Sequence, residues 1–107
     1  MEKFYLSTAI AYVNGAPHVG HALEFIQADA LARFYRLSDV DTFYLTGTDE
    51  HGVKIFETAN EAGMDTQEFV DMNANKFKSL EKILNLSNDD FIRTTQARHK
   101  EGVKEIW

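Results

Sequence analysis

Two histidines three residues apart, His18 and His21, bracket Val19-Gly20 just after Ala16-Pro17. At the start of a helix that spacing puts both imidazoles on one face, where both can donate to one anion. A helix N-terminus adds unpaired N–H groups and the positive end of the dipole, so phosphate is the natural guest. Gly20 has no Cβ and lets a flat ligand lie close to the backbone. A second cluster, Gly47-Thr48-Asp49-Glu50-His51-Gly52, has the same turn-like composition and brings acid and imidazole together. The chemistry suggested is a small anion site for a nucleotide phosphate.

The flanking sequence must position these clusters. Residues 3–10 are short, apolar and rich in β-formers, which predicts a buried strand. Leu23, Ile26, Ala30, Phe34 and Leu37 recur at three- and four-residue steps and predict the apolar face of a helix. Residues 41–46 form a second β-prone run, so strand, helix and strand make a βαβ unit. The 47–52 turn leads into a helix over 53–62, with Val53, Phe56 and Ala59 inward and Gly63 as its stop. Asp65 and Glu68 are spaced as a capping pair for a further helix. Its face is Phe69, Val70, Phe77, Leu80, Ile83 and Leu84. Residues 85–90 break that helix, 91–95 read as a third strand, and helix formers follow from Gln96. The order β-α-β-α-α-β-α is half of a doubly wound parallel α/β sheet. In such a sheet ligands bind beyond the carboxyl ends of the strands, so the loops 10–21 and 47–52 should lie side by side.

Composition narrows the function. The chain has 107 residues, 44% hydrophobic and 26% charged, enough for one modest core. There is no signal peptide and no bilayer-length apolar run, so a cytoplasmic protein without a membrane partner is expected. With no cysteine, thiolate metal sites and disulfides are excluded. The net charge of −6, from 11 Lys+Arg against 17 Asp+Glu without a basic run, argues against unaided nucleic-acid binding.

The run Ala9-Ile10-Ala11-Tyr12-Val13-Asn14-Gly15-Ala16-Pro17-His18-Val19-Gly20-His21 resembles the HIGH signature of class I aminoacyl-tRNA synthetases, with Val19 in place of Ile. Together with Thr46-Gly47-Thr48-Asp49-Glu50-His51-Gly52 and Asp89-Asp90-Phe91-Ile92-Arg93-Thr94-Thr95, it resembles the methionyl-tRNA synthetase family over essentially the whole chain. The resemblance implies a Rossmann-like fold. It also implies a methionine–tRNA ligase that activates methionine with ATP and Mg²⁺ to methionyl-adenylate, then transfers it to tRNA. His18 and His21 would act on the phosphates, with Gly20 under the adenine and Asn14 among the ATP contacts. Ile10 and Tyr12 would line the methionine side chain, and Asp49 would hold its α-ammonium. The resemblance further implies that residues 1–107 are the N-terminal half of a truncated catalytic domain. The lysine-rich KMSKS loop, the zinc-bearing insertion, the second half of the nucleotide fold and most tRNA contacts would then lie elsewhere, on the same or a second polypeptide. Little stand-alone aminoacylation and an aggregation-prone edge along the first strand are expected.

Each residue alone also has a purely structural reading. The histidines can serve as surface or capping groups, Asp49 as an N-cap, and Tyr12 as core. His51 can bond within its turn, and His99 can lie solvated on the last helix. Zinc on His18 and His21 is disfavoured, since no cysteine or carboxylate pair completes four ligands. Two other functions remain open: an HxGH nucleotidyltransferase, and a non-catalytic synthetase-like module that assembles with another chain.

Overall fold

The computed structural model describes all of residues 1–107. Its elements are β1 (Lys3–Ser7), β2 (Ala11–Tyr12), α1 (Val19–Leu37), β3 (Asp41–Asp49), α2 (Val53–Glu61), α3 (Thr66–Ile83), β4 (Asp90–Arg93) and α4 (Ala97–Ile106). All four strands are parallel, and β3 is hydrogen-bonded to each of the others. This is the expected α/β arrangement, with one change at its start.

The first strand is interrupted. β1 pairs Lys3 with Asp41 through Ser7 with Leu45, and β2 resumes with Ala11 opposite Thr48. Leu45 is paired with both Ser7 and Asp90, and Thr48 with both Ala11 and Arg93. A strand residue has only two sides, so β1 and β2 run along one side of β3 and β4 along the other. Residues 8–10 therefore face only Thr46 and Gly47, which is a bulge of one extra residue. The Ala9 N–H donates to Glu24 of α1 at 2.8 Å, and Thr8 shares a hydroxyl hydrogen bond with Thr46 at 2.7 Å. Alternating strand chemistry cannot reveal the extra residue, because Thr8, Ala9 and Ile10 suit a straight strand equally well.

One face of the sheet is packed. Thr42, Tyr44, Thr46 and Thr48 are buried on it, and the Tyr44 hydroxyl donates to the Phe25 carbonyl of α1 at 3.1 Å. The main cluster joins Ala11, Val13, Phe25, Ile55, Ala59, Phe69, Val70, Ala74, Phe77 and Phe91. On the opposite face the register partners Tyr5 and Phe43 stack 6.0 Å apart and remain 60% and 44% exposed. Parallel sheets are ordinarily covered on both faces, so this one is half-dressed.

Two helices turn differently from the periodicity. The predicted α1 stripe, Leu23, Ile26, Ala30, Phe34 and Leu37, is exposed, whereas Phe25, Asp29 and Ala32 are buried. Apolar residues surround this helix, and a carboxylate sits on its inner face. Asp29 accepts from the Ser87 N–H, the Ser87 hydroxyl and Arg33, fastening the loop before β4. In α2, Ile55 and Ala59 face inward while Val53 and Phe56 are exposed. The other signals hold. Gly63, at φ 69°, ends α2 with its N–H on the Asn60 carbonyl, and the Met64 N–H reaches the Ala59 carbonyl. The Asp65 side chain caps α3 by accepting from Gln67 and Glu68, with no reciprocal bond from Glu68. Ile83, counted on the α3 face, is exposed.

Candidate adenylate-forming site

The two loops meet at the carboxyl end of β3. Tyr12 is the register partner of Asp49, so the end of β2 lies directly beside the second turn. Tyr12 also leans over that turn: a Cβ added to Gly52 would strike its hydroxyl oxygen. Gly52 has φ 140°, a conformation natural only to glycine. Asp49 does not cap α2, which is Gly52's position. The Asp49 carboxylate enters no hydrogen bond or salt bridge, although it lies half-buried at the strand end. It is available to an ammonium group. Ile10 stands on the bulge and is 36% exposed, and Asn14 is exposed.

The histidines cap their own helix. His18 is the N-cap of α1, and its Nδ1 accepts from the Gly20 N–H at 3.0 Å. His21 Nδ1 accepts in return from the His18 N–H at 3.1 Å, and the rings lie 3.9 Å apart. The capping reading is therefore correct, and it has a chemical consequence. An Nδ1 that accepts carries no proton, so each neutral ring keeps its proton on Nε2. Both Nε2–H groups remain to meet an anion, while two of the amides expected to do so are already taken. Gly20 is needed for the same motif, since a Cβ there would lie 2.8 Å from the His18 ring. Burial and the neighbouring His18 push the His21 pKa below its ordinary value, with Glu24 opposing them. This favours the neutral, Nε2-protonated form.

The approach to α1 is anchored on α3. Asn73, buried, donates to the Val13 carbonyl at 3.0 Å, and His21 meets the edge of Phe77 at 4.9 Å between centroids. No hydrogen bond or salt bridge joins the histidine pair to Asp49; Tyr12 borders the second turn, and residues 13–17 lead from it to the first.

The second turn is held by a group the sequence reading passed over. Glu50 is 3% exposed. One of its oxygens accepts from Arg93 Nη2 at 2.7 Å and from Thr95 at 2.9 Å. The other accepts from Arg93 Nε at 2.7 Å and from Thr48 at 2.5 Å. The Glu50 N–H donates to the Thr94 hydroxyl at 2.8 Å, and Arg93 reaches on to Asp71 of α3 at 2.6 Å. Burial alone would raise the Glu50 pKa, but the bonds from Arg93, Thr48 and Thr95 and the Arg93 charge hold it low. A signal did exist: Glu50 and Arg93 are opposite charges at the ends of adjacent β-prone runs. Gly47 allows β3 and β4 to approach, as a Cβ there would strike the Ile92 carbonyl. His51 Nε2 lies 3.2 Å from the Thr94 carbonyl, and His99, expected to be solvated, is half-buried. No three His, Asp or Glu side chains converge as a metal cage. No helix is long and apolar enough to cross a membrane.

The profile of the tRNA synthetases class I (M) family matches residues 4–107. The chain belongs to that family. It is 50% identical over 106 residues to the methionine–tRNA ligase of Brucella suis, covering 99% of this chain and 21% of that one. It is 53% identical over 104 residues to the Rhizobium meliloti methionine–tRNA ligase, covering 97% of this chain and 20% of that one. It superposes on Mycobacterium tuberculosis methionyl-tRNA synthetase in complex with methionyl-adenylate with a TM-score of 0.97 and 51% identity, covering 100% of this chain and 21% of that one. The chain thus spans about a fifth of the length of the curated relatives it matches.

Proposed function

We propose that residues 1–107 supply the methionine-holding side and the HIGH-type half of an adenylate-forming site in a methionine–tRNA ligase, as the N-terminal half of its catalytic domain. The observation that carries this is the register pairing of Tyr12 with an unbonded Asp49 at the carboxyl end of the sheet. Asp49 holds the α-ammonium of methionine. Tyr12 and Ile10 flank the thioether, which packs well against an aromatic face. That orientation presents the methionine carboxylate to the α-phosphate of ATP. The carboxylate oxygen bonds to phosphorus and pyrophosphate departs with the electrons of the broken P–O bond. The Nε2–H groups of His18 and His21 stabilise the charge gathering on the phosphate oxygens, with Gly20 and Asn14 beside the nucleotide.

Mg²⁺ would come with the triphosphate and help neutralise its charge. Transfer to tRNA in the cytoplasm draws on protein outside these residues, on the same or a second polypeptide. The near-half identity to named methionine–tRNA ligases supports this reading over a nucleotidyltransferase.

The test is an amide NMR titration of the 15N-labelled chain with methionine, then with ATP and Mg²⁺. Selective movement of Ile10, Tyr12 and Asp49 with methionine is expected. Movement with ATP but none with methionine would overturn the reading.

A further inference from the structure

On the side away from Tyr12's pairing, His51 of the second turn, Thr94 just after β4, and His99, Lys100, Val103 and Lys104 of α4 line a cleft of about 390 Å³. Four of these six are basic or imidazole side chains and none is acidic, in a chain with 17 acidic against 11 basic residues. The concentration is local and runs against the net charge.

The charges in this cleft are also largely unspent. A second cleft, lined by Arg33, Arg36, Leu37 and Ser87, is cationic too, but its arginines are committed. Arg33 is paired with Asp29 and the Asn85 carbonyl, and Arg36 with Ser87 and Asp89. By contrast Lys100 has no partner, and Lys104 has only Glu101 at 3.3 Å, with both side chains more than 70% exposed. Arg98 on the same helix is taken by Asp90, and both oxygens of nearby Glu50 are filled by Arg93, Thr48 and Thr95.

Of the two polar side chains on the β side, one is committed and one is free to donate. His51 Nε2 faces the Thr94 carbonyl, which can only accept, so that nitrogen holds the proton and spends it there. Thr94 accepts the Glu50 N–H, and its own hydroxyl hydrogen is uncommitted.

We propose that this cleft is a phosphate-binding site, next to the adenylate-forming site and separate from His18 and His21. It rests on the ligase reading above. That reaction supplies two sources of phosphate at this end of the sheet, the released pyrophosphate and the sugar–phosphate strand of the RNA that receives methionine. Lys100 and Lys104 neutralise the phosphate charge, while Thr94 and His99 donate to its oxygens and His51 borders them.

The experiment follows the imidazole C2–H resonances of the 107-residue chain during titration with pyrophosphate and, separately, with a short single-stranded RNA, at constant ionic strength. Saturable movement of His51 and His99 is expected. The double variant Lys100→Ala, Lys104→Ala should bind about tenfold more weakly, and Lys100→Arg, Lys104→Arg should retain binding. Tighter binding of the RNA assigns the site to the nucleic-acid strand, and tighter pyrophosphate to the leaving group. Movement reproduced by chloride alone, or equal in the alanine variant and the parent, overturns the proposal. If methionine still moves Tyr12 and Asp49 when that happens, the cleft fails and the ligase reading stands. If methionine moves nothing while phosphate still fills the cleft, the reverse holds.

Discussion

The two strand-to-helix turns solve the same positioning problem with opposite means. The turn before α1 is exposed and self-contained, because His18 and His21 cap the helix with their own imidazoles. The turn before α2 has no side-chain cap and is fixed from outside, by Glu50 buried under Arg93, Thr48 and Thr95. The first couples local stability to the groups that would meet phosphate. The second separates them: Glu50 bears the structural role, and its neighbour Asp49 stays unbonded. A site proposed to hold an ammonium is thereby immobilised by a different carboxylate next door.

The largest expected effect comes from breaking the second turn. Glu50→Ala leaves Arg93 beside Asp71 alone and strips acceptors from Thr48 and Thr95. Removing one partner of such a pair costs about 3–5 kcal/mol. Urea denaturation should show a loss of that order, with Glu50→Gln losing less because it still accepts. A loss under 1 kcal/mol for the alanine variant would make the clamp ornamental.

Gly52→Ala should come next. It forces an L residue to φ 140° and pushes a methyl into the Tyr12 hydroxyl. Backbone strain of this kind costs about 1–3 kcal/mol. Tyr12→Phe removes the struck oxygen, so the double variant should recover part of the loss but not the strain. Recovery to the full parental midpoint would show that the contact, not the backbone, sets the cost.

At the first turn, stability and function can be split. His18→Ala deletes a cap and should cost about 1 kcal/mol. His18→Asn replaces the Nδ1 acceptor with a favoured capping oxygen, so its urea midpoint should return close to the parent. It lacks the Nε2–H, so ATP-induced amide shifts at Gly20 and His21 should still weaken. An unchanged ATP response in His18→Asn would remove that imidazole from the phosphate site.

What the sequence made legible follows physical range. Short-range chemistry read well: Gly63 as a helix stop, Asp65 as a cap, and the strand cores of β3 and β4. The adjacency of the two loops also followed, because parallel strands must end on one side. The buried face of α1 did not, since apolar residues on all sides leave periodicity undecided and a carboxylate, Asp29, was chosen for the interior by partners 58 residues away. The Glu50–Arg93 clamp left its opposite charges in view, but the pairing itself spans 43 residues and no local rule joins them. The bulge at 8–10 depends on Glu24 receiving a displaced N–H, which no local rule announces.

The smallest effect separates the turns by pH. His21 is held below its ordinary pKa of 6.5 by burial and by His18, so the unfolded chain binds that proton more readily than the folded one. Its contribution to stability is then complete above pH 6.5 and fades as the pH falls through the folded value. Protonation also puts a hydrogen on the Nδ1 that accepts from the His18 N–H, dissolving half of the capping motif. The Glu50 clamp responds in a different window, because its pKa lies below the usual carboxylate value of 4.5. Between pH 7.5 and 5 the urea midpoint of the parent should drop modestly, and that of His21→Asn should drop less. The Asp49–Gly52 amide resonances should stay in place over the same range while those of His18–His21 move. Parallel movement of both sets would mean that the turns are coupled after all, through the β2 segment that pairs with Asp49 and leads into the first turn.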